Sequence, residues 1–130
     1  EGPWAAAVFY AVDGFDLIFL SAPHTRHCVH LEQDPRVAGT IQEDYGDWRQ
    51  IQGIQLEGSV KRLHDADRDA ALAVYQRKFP FVAGDGSPEA IQRAMSKACL
   101  YRLIPRVLYF IDNTRAMGHR EQFFPHARRD

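Results

Sequence analysis

The chain has 130 residues, of which 45% are apolar and 25% charged, values that suit one globular domain with a single core. Its formal net charge of −1 argues against a general nucleic-acid binder. No apolar run reaches membrane-spanning length, and two cysteines are too few for a disulfide framework, so we expect a protein of the reducing cytoplasm. The chain shows no signal peptide, and its abrupt apolar start leaves room for a preceding segment.

The N-terminal third predicts a strand hairpin, a short helix and a third strand. Residues 4–21 form two apolar runs around Val12-Asp13-Gly14, and Asp-Gly between β-branched and aromatic residues is a strong hairpin signal. A helix is predicted over residues 25–33, where Pro35 ends it, and residues 37–41 resume as a strand.

Residues 48–63 predict one long strand, because apolar and polar side chains alternate there with a period of two. One face carries Ile54, Leu56 and Val60, and the other carries Gln55, Glu57, Ser59 and Lys61. Gly53 and Gly58 interrupt this strand. Glycines inside a strand indicate a bulge, a barrel corner, or the close approach of a ligand or another backbone.

The second half predicts two helices and a last clear strand. Residues 65–78 form a helix that Asp65 or Asp67 could cap, with Ala71, Val74, Tyr75 and Lys78 on one face. Ser87-Pro88 opens another helix, residues 106–112 form a strand, and the tail is ambiguous. Because strands and helices do not alternate regularly, we expect a mainly β fold, a mostly antiparallel barrel with helices packed outside.

The segment SAPHTRHCVH, residues 21–30, holds three histidines at intervals of three. A metal site needs three or four converging ligands, whereas this row of histidines drifts around a helix, so we predict no metal site. A nucleophilic role for Cys28 is also weak, because Cys28 and Leu31 are spaced to form the inward face of the helix.

An anion site at the same segment is chemically more reasonable. Ser21 ends a strand, Thr25 stands where a helix N-cap belongs, and Arg26 and His27 follow in the first turn. Free N–H groups and the helix dipole favour negative charge there, and an arginine can hold a phosphate through two donors. Equally, Thr25 could be only a cap and Arg26 only solvated, and the residues alone leave both interpretations open.

Three runs of the sequence resemble the FMN-binding split-barrel superfamily of the pyridoxamine-phosphate oxidases. They are FDLIFLSAPHTRHCVHLEQDPRVAGTI, IQGIQLEGSVKRL and FIDNTRAMGH, the last being similar to the YhbP-like branch. The resemblance covers residues 4–119. It implies a six-stranded antiparallel split barrel as a single domain over residues 1–130. It also implies a homodimer with FMN at the interface and a small-molecule substrate.

The resemblance also implies a set of cofactor-binding residues. The phosphate maps to Thr25, Arg26 and His27. The flavin ring maps to the first strand and to the end of the second, at Ala5, Ala6, Ala7, Val8, Leu20 and Ser21. Gly53 stands where the oxidases have a polar FMN contact, and Gln55, which projects to the same side of the strand, could replace it.

Two departures from the family pattern weaken a strict oxidase assignment. His27 replaces a lysine, which predicts weaker or pH-dependent binding of the phosphate. The oxidases' C-terminal Trp and Arg pair is not evident, although Arg115, His119 and Arg120 are candidates. A bound flavin would carry the chemistry itself, so no residue is assigned as catalytic.

These observations leave three functions open. The first is an FMN-dependent oxidoreductase of a flavin reductase-like kind that acts on a small molecule. The second is a non-catalytic flavin or haem binder, for which His24, His30 and His119 are candidate haem ligands. The third is a structural homodimer without a cofactor.

Overall fold

The computed structural model describes residues 2–82 and 88–126, and its elements are mainly β-strands with three α-helices. The strands are β1 (Tyr10–Asp13), β2 (Asp16–Ser21), β3 (Arg36–Gln42), β4 (Gln52–Arg62), β5 (Cys99–Asp112) and β6 (Arg120–Phe123). The helices are α1 (Arg26–Gln33), α2 (Asp65–Lys78) and α3 (Glu89–Lys97). Within the described ranges, no helix is long and apolar enough to cross a bilayer.

The six strands form one sheet in the order β1-β2-β5-β4-β3, with β6 paired to β5. The ladders β1–β2, β2–β5, β3–β4 and β5–β6 are all antiparallel, as the sequence predicts. The contacts divide the chain into two compact units. Unit 1 comprises Glu1–Pro35 with Val60–Ile104, and unit 2 comprises Arg36–Ser59 with Pro105–Asp130. The single-domain organisation therefore stays a prediction.

The β1–β2 hairpin confirms the Asp-Gly signal, but its turn lies one residue later than expected. Asp13 pairs with Asp16, so Gly14 and Phe15 form the loop. Gly14 has φ +63°, while Phe15 is not in the left-handed region, the pattern of a type II′ turn with glycine at its first central position. Both flanking carboxylates lie 3.0 Å from the guanidinium of Arg102, which ties the hairpin to β5.

The first strand is shorter than the sequence predicts. β1 begins only at Tyr10, and residues 5–8, expected to lie in it, have no regular secondary structure. Alanine has a low β-propensity, and these side chains are exposed, so burial does not compensate for it. The prediction of a strand through the alanines is therefore wrong.

The core of unit 1 lies between the hairpin, β5 and α2. Its buried cluster consists of Ala11, Ile18, Leu63, Ala71, Tyr75, Val82 and Leu100. On the predicted face of α2, Ala71 and Tyr75 are buried and Val74 packs against the cluster, whereas Lys78 is exposed. The predicted cap is wrong, because His64 is the N-cap and Asp65 and Asp67 occupy the first turn, where carboxylates favour the helix dipole.

The long strand of unit 2 begins later than predicted. Residues Trp48–Gln50 form a 3₁₀ turn, and the Asp47 carboxylate accepts a hydrogen bond of 3.0 Å from the Arg49 backbone N–H. This cap competes with extension, so β4 starts at Gln52. The expectation of a strand from residue 48 is wrong for its first four residues.

Gly53 and Gly58 lie in an unbroken ladder between β3 and β4, in which Gly58 pairs with Val37 and Gly53 with Gln42. This ladder therefore contains no bulge at either glycine. A Cβ at Gly53 would lie 3.2 Å from the carbonyl oxygen of Ile41 and 3.3 Å from Cγ of Gln42. Close approach of a neighbouring strand, one of the expected readings, thus explains this glycine.

The C-terminal strands were only partly predicted. β5 begins at Cys99 rather than at residue 106 and contains the buried Pro105, while β6 lies in the tail that was ambiguous. All four side chains of β6 are exposed, so no apolar pattern marks it. The helix predicted after Ser87-Pro88 is confirmed as α3, but Pro88, expected in its first turn, is the N-cap, and Ser87, expected as the N-cap, lies outside the described residues.

Candidate cofactor-binding site

The junction between β2 and α1 places Thr25 as the N-cap of the helix, as predicted. Its side chain nevertheless makes no capping bond, because the hydroxyl donates to the carbonyl oxygen of Ala22 at 2.7 Å. A threonine N-cap ordinarily accepts a hydrogen bond from an N–H of the first turn. Here those N–H groups receive nothing from the cap, and they suit an acceptor from outside the helix.

His27 and Ser21 are joined directly across this junction. Nε2 of His27 lies 2.5 Å from Oγ of Ser21 and 3.4 Å from Oγ1 of Thr25. Partial burial lowers the pKa of His27 below its ordinary value of 6.5, so the ring is neutral at pH 7. At that pH His27 does not replace the charge of a lysine, and Arg26 carries the positive charge of the Thr-Arg-His motif.

Arg26 is exposed, and its guanidinium carbon lies 4.2 Å from the ring centre of Trp4. Among the residues that the structure describes, Arg26 forms no ion pair with a carboxylate. Its charge is therefore available at the start of α1. Sequence reasoning missed the role of Trp4, because no periodicity connects residues 4 and 26.

The structure brings several predicted site residues together within unit 1. Ser21, Thr25, Arg26 and His27 meet at the junction, and Leu20 packs against the core beside them. Ala5, Ala6, Ala7 and Val8 follow Trp4 along the chain and are exposed. Gly53 and Gln55 belong to unit 2, and their part in a cofactor site stays a prediction.

Cys28 is a core residue of α1, with only 1% of its surface exposed. Burial and, after it, the neighbouring Cys28 thiol raise the pKa of the buried Tyr101 hydroxyl. The predicted reading of Cys28 as a small inward hydrophobe is confirmed. In the described part of the chain, no three His, Cys, Asp or Glu side chains are grouped to hold a metal ion.

The C-terminal candidates are engaged by local partners within unit 2. Arg115 Nη1 and His119 Nε2 lie 3.3 Å and 3.2 Å from the same oxygen, Oε1 of Glu121. The guanidinium carbon of Arg120 lies 4.2 Å from the ring centre of Tyr109. Their proposed cofactor or substrate contacts stay predictions.

The FIDNTRAMGH run forms a hydrogen-bonded turn in unit 2. Oδ1 of Asp112 accepts bonds from Thr114 and Gln52, and these bonds lower the pKa of Asp112, the Thr114 side-chain bond contributing most. Asn113 Nδ2 donates to the carbonyl oxygen of Trp48 at 2.8 Å, while its Oδ1 accepts from the Gly118 N–H at 2.9 Å. This motif therefore has a structural role.

We expect the lowered pKa of His27 to make stability depend on pH. The folded state keeps His27 neutral, while the unfolded chain takes up a proton below about pH 6.5. The contribution of neutral His27 to the free energy of unfolding is thus fully present above pH 6.5. It is lost as the pH falls towards the pKa of His27 in the folded state. The free energy of unfolding of wild type, measured with urea, should fall relative to that of His27→Gln between pH 7.5 and 5, by at most about 1.4 kcal/mol per pH unit.

Val29→Ala is the matched control for this measurement, because Val29 is exposed on the same helix and has no titratable group. Its stability difference from wild type should stay constant across the same pH range. If the difference between wild type and His27→Gln were equally constant, His27 would not titrate differently in the folded state.

No protein-family model matches the chain. A UPF0306 protein of Enterobacter sp. strain 638 is 30% identical over 117 residues, 88% of this chain and 75% of that protein. The UPF0306 protein YhbP of Escherichia coli O157:H7 has the same identity over the same share of the chain, and 72% of its own length is covered. A UPF0306 protein of Photorhabdus laumondii is 38% identical over 79 residues, 59% of this chain, but only 55% of that protein is spanned.

Solved structures similar to this chain share its fold. A heme-binding protein from Mycobacterium smegmatis aligns with a TM-score of 0.73 at 18% identity, covering 95% of this chain and 48% of that one. ChuZ from Campylobacter jejuni aligns at 0.67 with 12% identity, covering 90% and 47%. A Listeria innocua protein provisionally named a pyridoxamine 5'-phosphate oxidase aligns at 0.63 with 12% identity, covering 86% and 81%. The fold is therefore the six-stranded split barrel, and the chain spans about half the length of the first two structures.

Proposed function

The chain belongs to the UPF0306 family, and we propose that it binds FMN at the junction of β2 and α1 as an oxidoreductase acting on a small molecule. The observation that supports this proposal most is the set of donors at the junction. Arg26 supplies a charge that no carboxylate among the described residues pairs, and Thr25 leaves the first N–H groups of α1 without a capping side chain.

These residues fit a phosphate monoester. Such a group carries a charge of about −1.5 to −2 near neutral pH and several acceptor oxygens. A guanidinium can donate two parallel hydrogen bonds to it, and a helix N-terminus adds amide donors and a favourable dipole. Neutral His27, joined to Ser21, offers a polar ring beside them but no second charge.

The remaining residues would orient the rest of the cofactor. Leu20 and the exposed side chains of Ala5, Ala6, Ala7 and Val8 are small or aliphatic, so they leave room for a flat ring beside the junction. When bound, the flavin ring would supply reversible electron transfer. The chain's own part would be to hold the phosphate, to orient the ring and to shape access to it.

A homodimer with the cofactor at its interface belongs to the same proposal. Four large apolar side chains between residues 8 and 15 are at least 40% exposed, namely Val8, Phe9, Val12 and Phe15. Exposed apolar side chains in such number near one chain end favour burial against another surface. A second copy of this chain is the partner we propose.

Titration of the purified protein with FMN, followed by quenching of flavin emission and by the shift of its visible absorption, tests the cofactor. We expect saturable binding of FMN that is tighter than the binding of riboflavin, which lacks the phosphate. Sedimentation in the presence of FMN tests the dimer. A wild-type protein that changes neither emission nor absorption of FMN would overturn the proposal.

Haem binding is a second candidate function, because the similar protein from Mycobacterium smegmatis is named a heme-binding protein. An axial ligand is the minimum requirement, and His24 is an exposed imidazole just before α1. Titration with haemin would then produce an intense Soret band that His24→Ala abolishes. Flavin quenching without a Soret change favours FMN, and the reverse result favours haem.

A further inference from the structure

Residues 2–9, here termed the N-terminal segment, are held at two points in unit 1. Near its start, the Trp4 ring covers the guanidinium of Arg26. At its end, the Phe9 ring meets that of Phe79 edge to face at 6.2 Å, and the Phe9 carbonyl oxygen accepts a bond of 3.3 Å from the Tyr75 hydroxyl. The segment thus presents Trp4 to Arg26 although it forms no strand.

The contact between Trp4 and Arg26 leaves the N–H donors of the guanidinium able to bind a ligand. At 4.2 Å from the ring centre, the guanidinium carbon is at stacking or cation–π distance. A guanidinium stacked on an indole presents its face to the ring. Its N–H donors point outward in the plane, and they remain able to bind an oxyanion through two hydrogen bonds.

We propose that Trp4 is a positioning residue that holds Arg26 ready for the phosphate and thereby makes the site select phosphorylated over unphosphorylated flavin. This inference rests on the proposed function. An exposed arginine loses rotamer freedom when it binds a ligand, and a side chain already held against an indole loses less. Trp4 acts through Arg26 and touches no reacting atom.

Trp4 has no role in the packing of the core. More than half of its surface, 54%, is exposed, and it is absent from the buried cluster of unit 1. Truncation of Trp4 should therefore leave the fold intact. Its effect should appear only with ligands that carry a phosphate.

The experiment compares the dissociation constants of FMN and riboflavin, measured by flavin emission, for wild type, Trp4→Ala and Trp4→Phe. We expect Trp4→Ala to weaken FMN about three- to fivefold, the size of an exposed cation–π contact, and to leave riboflavin unchanged. Trp4→Phe should recover part of the loss, because phenylalanine also offers an aromatic face. In the Arg26→Ala background, Trp4→Ala should have no further effect.

The chain provides a matched control in its other tryptophan. Trp48 is 53% exposed, and the guanidinium of Arg49 lies 5.5 Å from its ring centre. Trp48→Ala should leave the ratio of the FMN and riboflavin constants unchanged. In a Trp48→Phe protein, Trp4 is the remaining tryptophan, so its emission should change on addition of FMN or of inorganic phosphate.

The outcomes separate the two proposals. Failure of wild type to bind FMN overturns the proposed function and, with it, the role of Trp4. If wild type binds FMN tightly and Trp4→Ala shows the same ratio of FMN and riboflavin dissociation constants, only the role of Trp4 is overturned. Tighter FMN binding by Trp4→Ala also overturns it, because Trp4 would then compete with the phosphate for Arg26.

Discussion

Replacement of Arg26 by alanine is expected to weaken FMN binding about ten- to a hundredfold, because hydrogen bonds from a charged donor contribute about 1.5–3 kcal/mol. His27 is neutral at pH 7, so no second charge at the junction compensates for the loss of the guanidinium. Riboflavin has no phosphate, and its affinity should not change. Parallel fluorescence titrations with the two flavins measure both effects.

Arg77→Ala removes the same charge from the last turn of α2 and serves as the control. It should reduce FMN affinity less than twofold, since an exposed charge that does not hold the phosphate is screened by salt. Equal losses in the two variants would indicate only a general electrostatic attraction. If Arg26→Ala bound FMN as tightly as wild type, the phosphate assignment would be wrong even with the fold intact.

Replacement of Leu100 by alanine is expected to destabilise the protein by about 2–5 kcal/mol, the range for truncation of a fully buried leucine. Leu100 is 0% exposed and lies in the buried cluster of unit 1, opposite Leu20 in the β2–β5 ladder. Its carbonyl oxygen also accepts a bond of 2.9 Å from the Leu63 N–H, which the substitution keeps. The midpoint of urea unfolding should therefore fall while the slope stays the same.

Val29→Ala, on the exposed face of α1, shows what the loss of an apolar group costs outside the core. Its effect should stay within about 0.5 kcal/mol. A shift for Leu100→Ala no larger than that of Val29→Ala would mean that Leu100 is not buried as described.

The elements that the sequence predicted well are those in which local signals and burial agree. The helix pattern of residues 65–78 matches α2 at both ends, because its buried positions recur at helical spacing. The hairpin was found because Gly14 supplies the positive φ that its turn requires. The start of β5 was missed since Arg102 and Pro105 break its apolar pattern, although Arg102 is paired with two carboxylates of the hairpin.

The candidate site was predictable only as far as its local chemistry. Thr25 as N-cap and Arg26 in the first turn follow from the sequence of one short segment. The direction of the Thr25 hydroxyl and the bond between Ser21 and His27 depend on the backbone path from β2 to α1, and the ring of Trp4 over Arg26 depends on tertiary placement. Residue spacing carries no information on such contacts, which explains why these three were missed.

The β2–β5 ladder also sets the order in which the site can form during synthesis. Ser21, which hydrogen-bonds His27, pairs with Cys99, and Leu17 pairs with Leu103, so β2 is made long before its partner strand. Contacts so distant in sequence form slowly, and the edge of β2 that β5 later covers is open to aggregation meanwhile. A nascent chain that ends before residue 99 therefore has the phosphate motif but not the strand that supports it, and we expect such fragments to depend on chaperones.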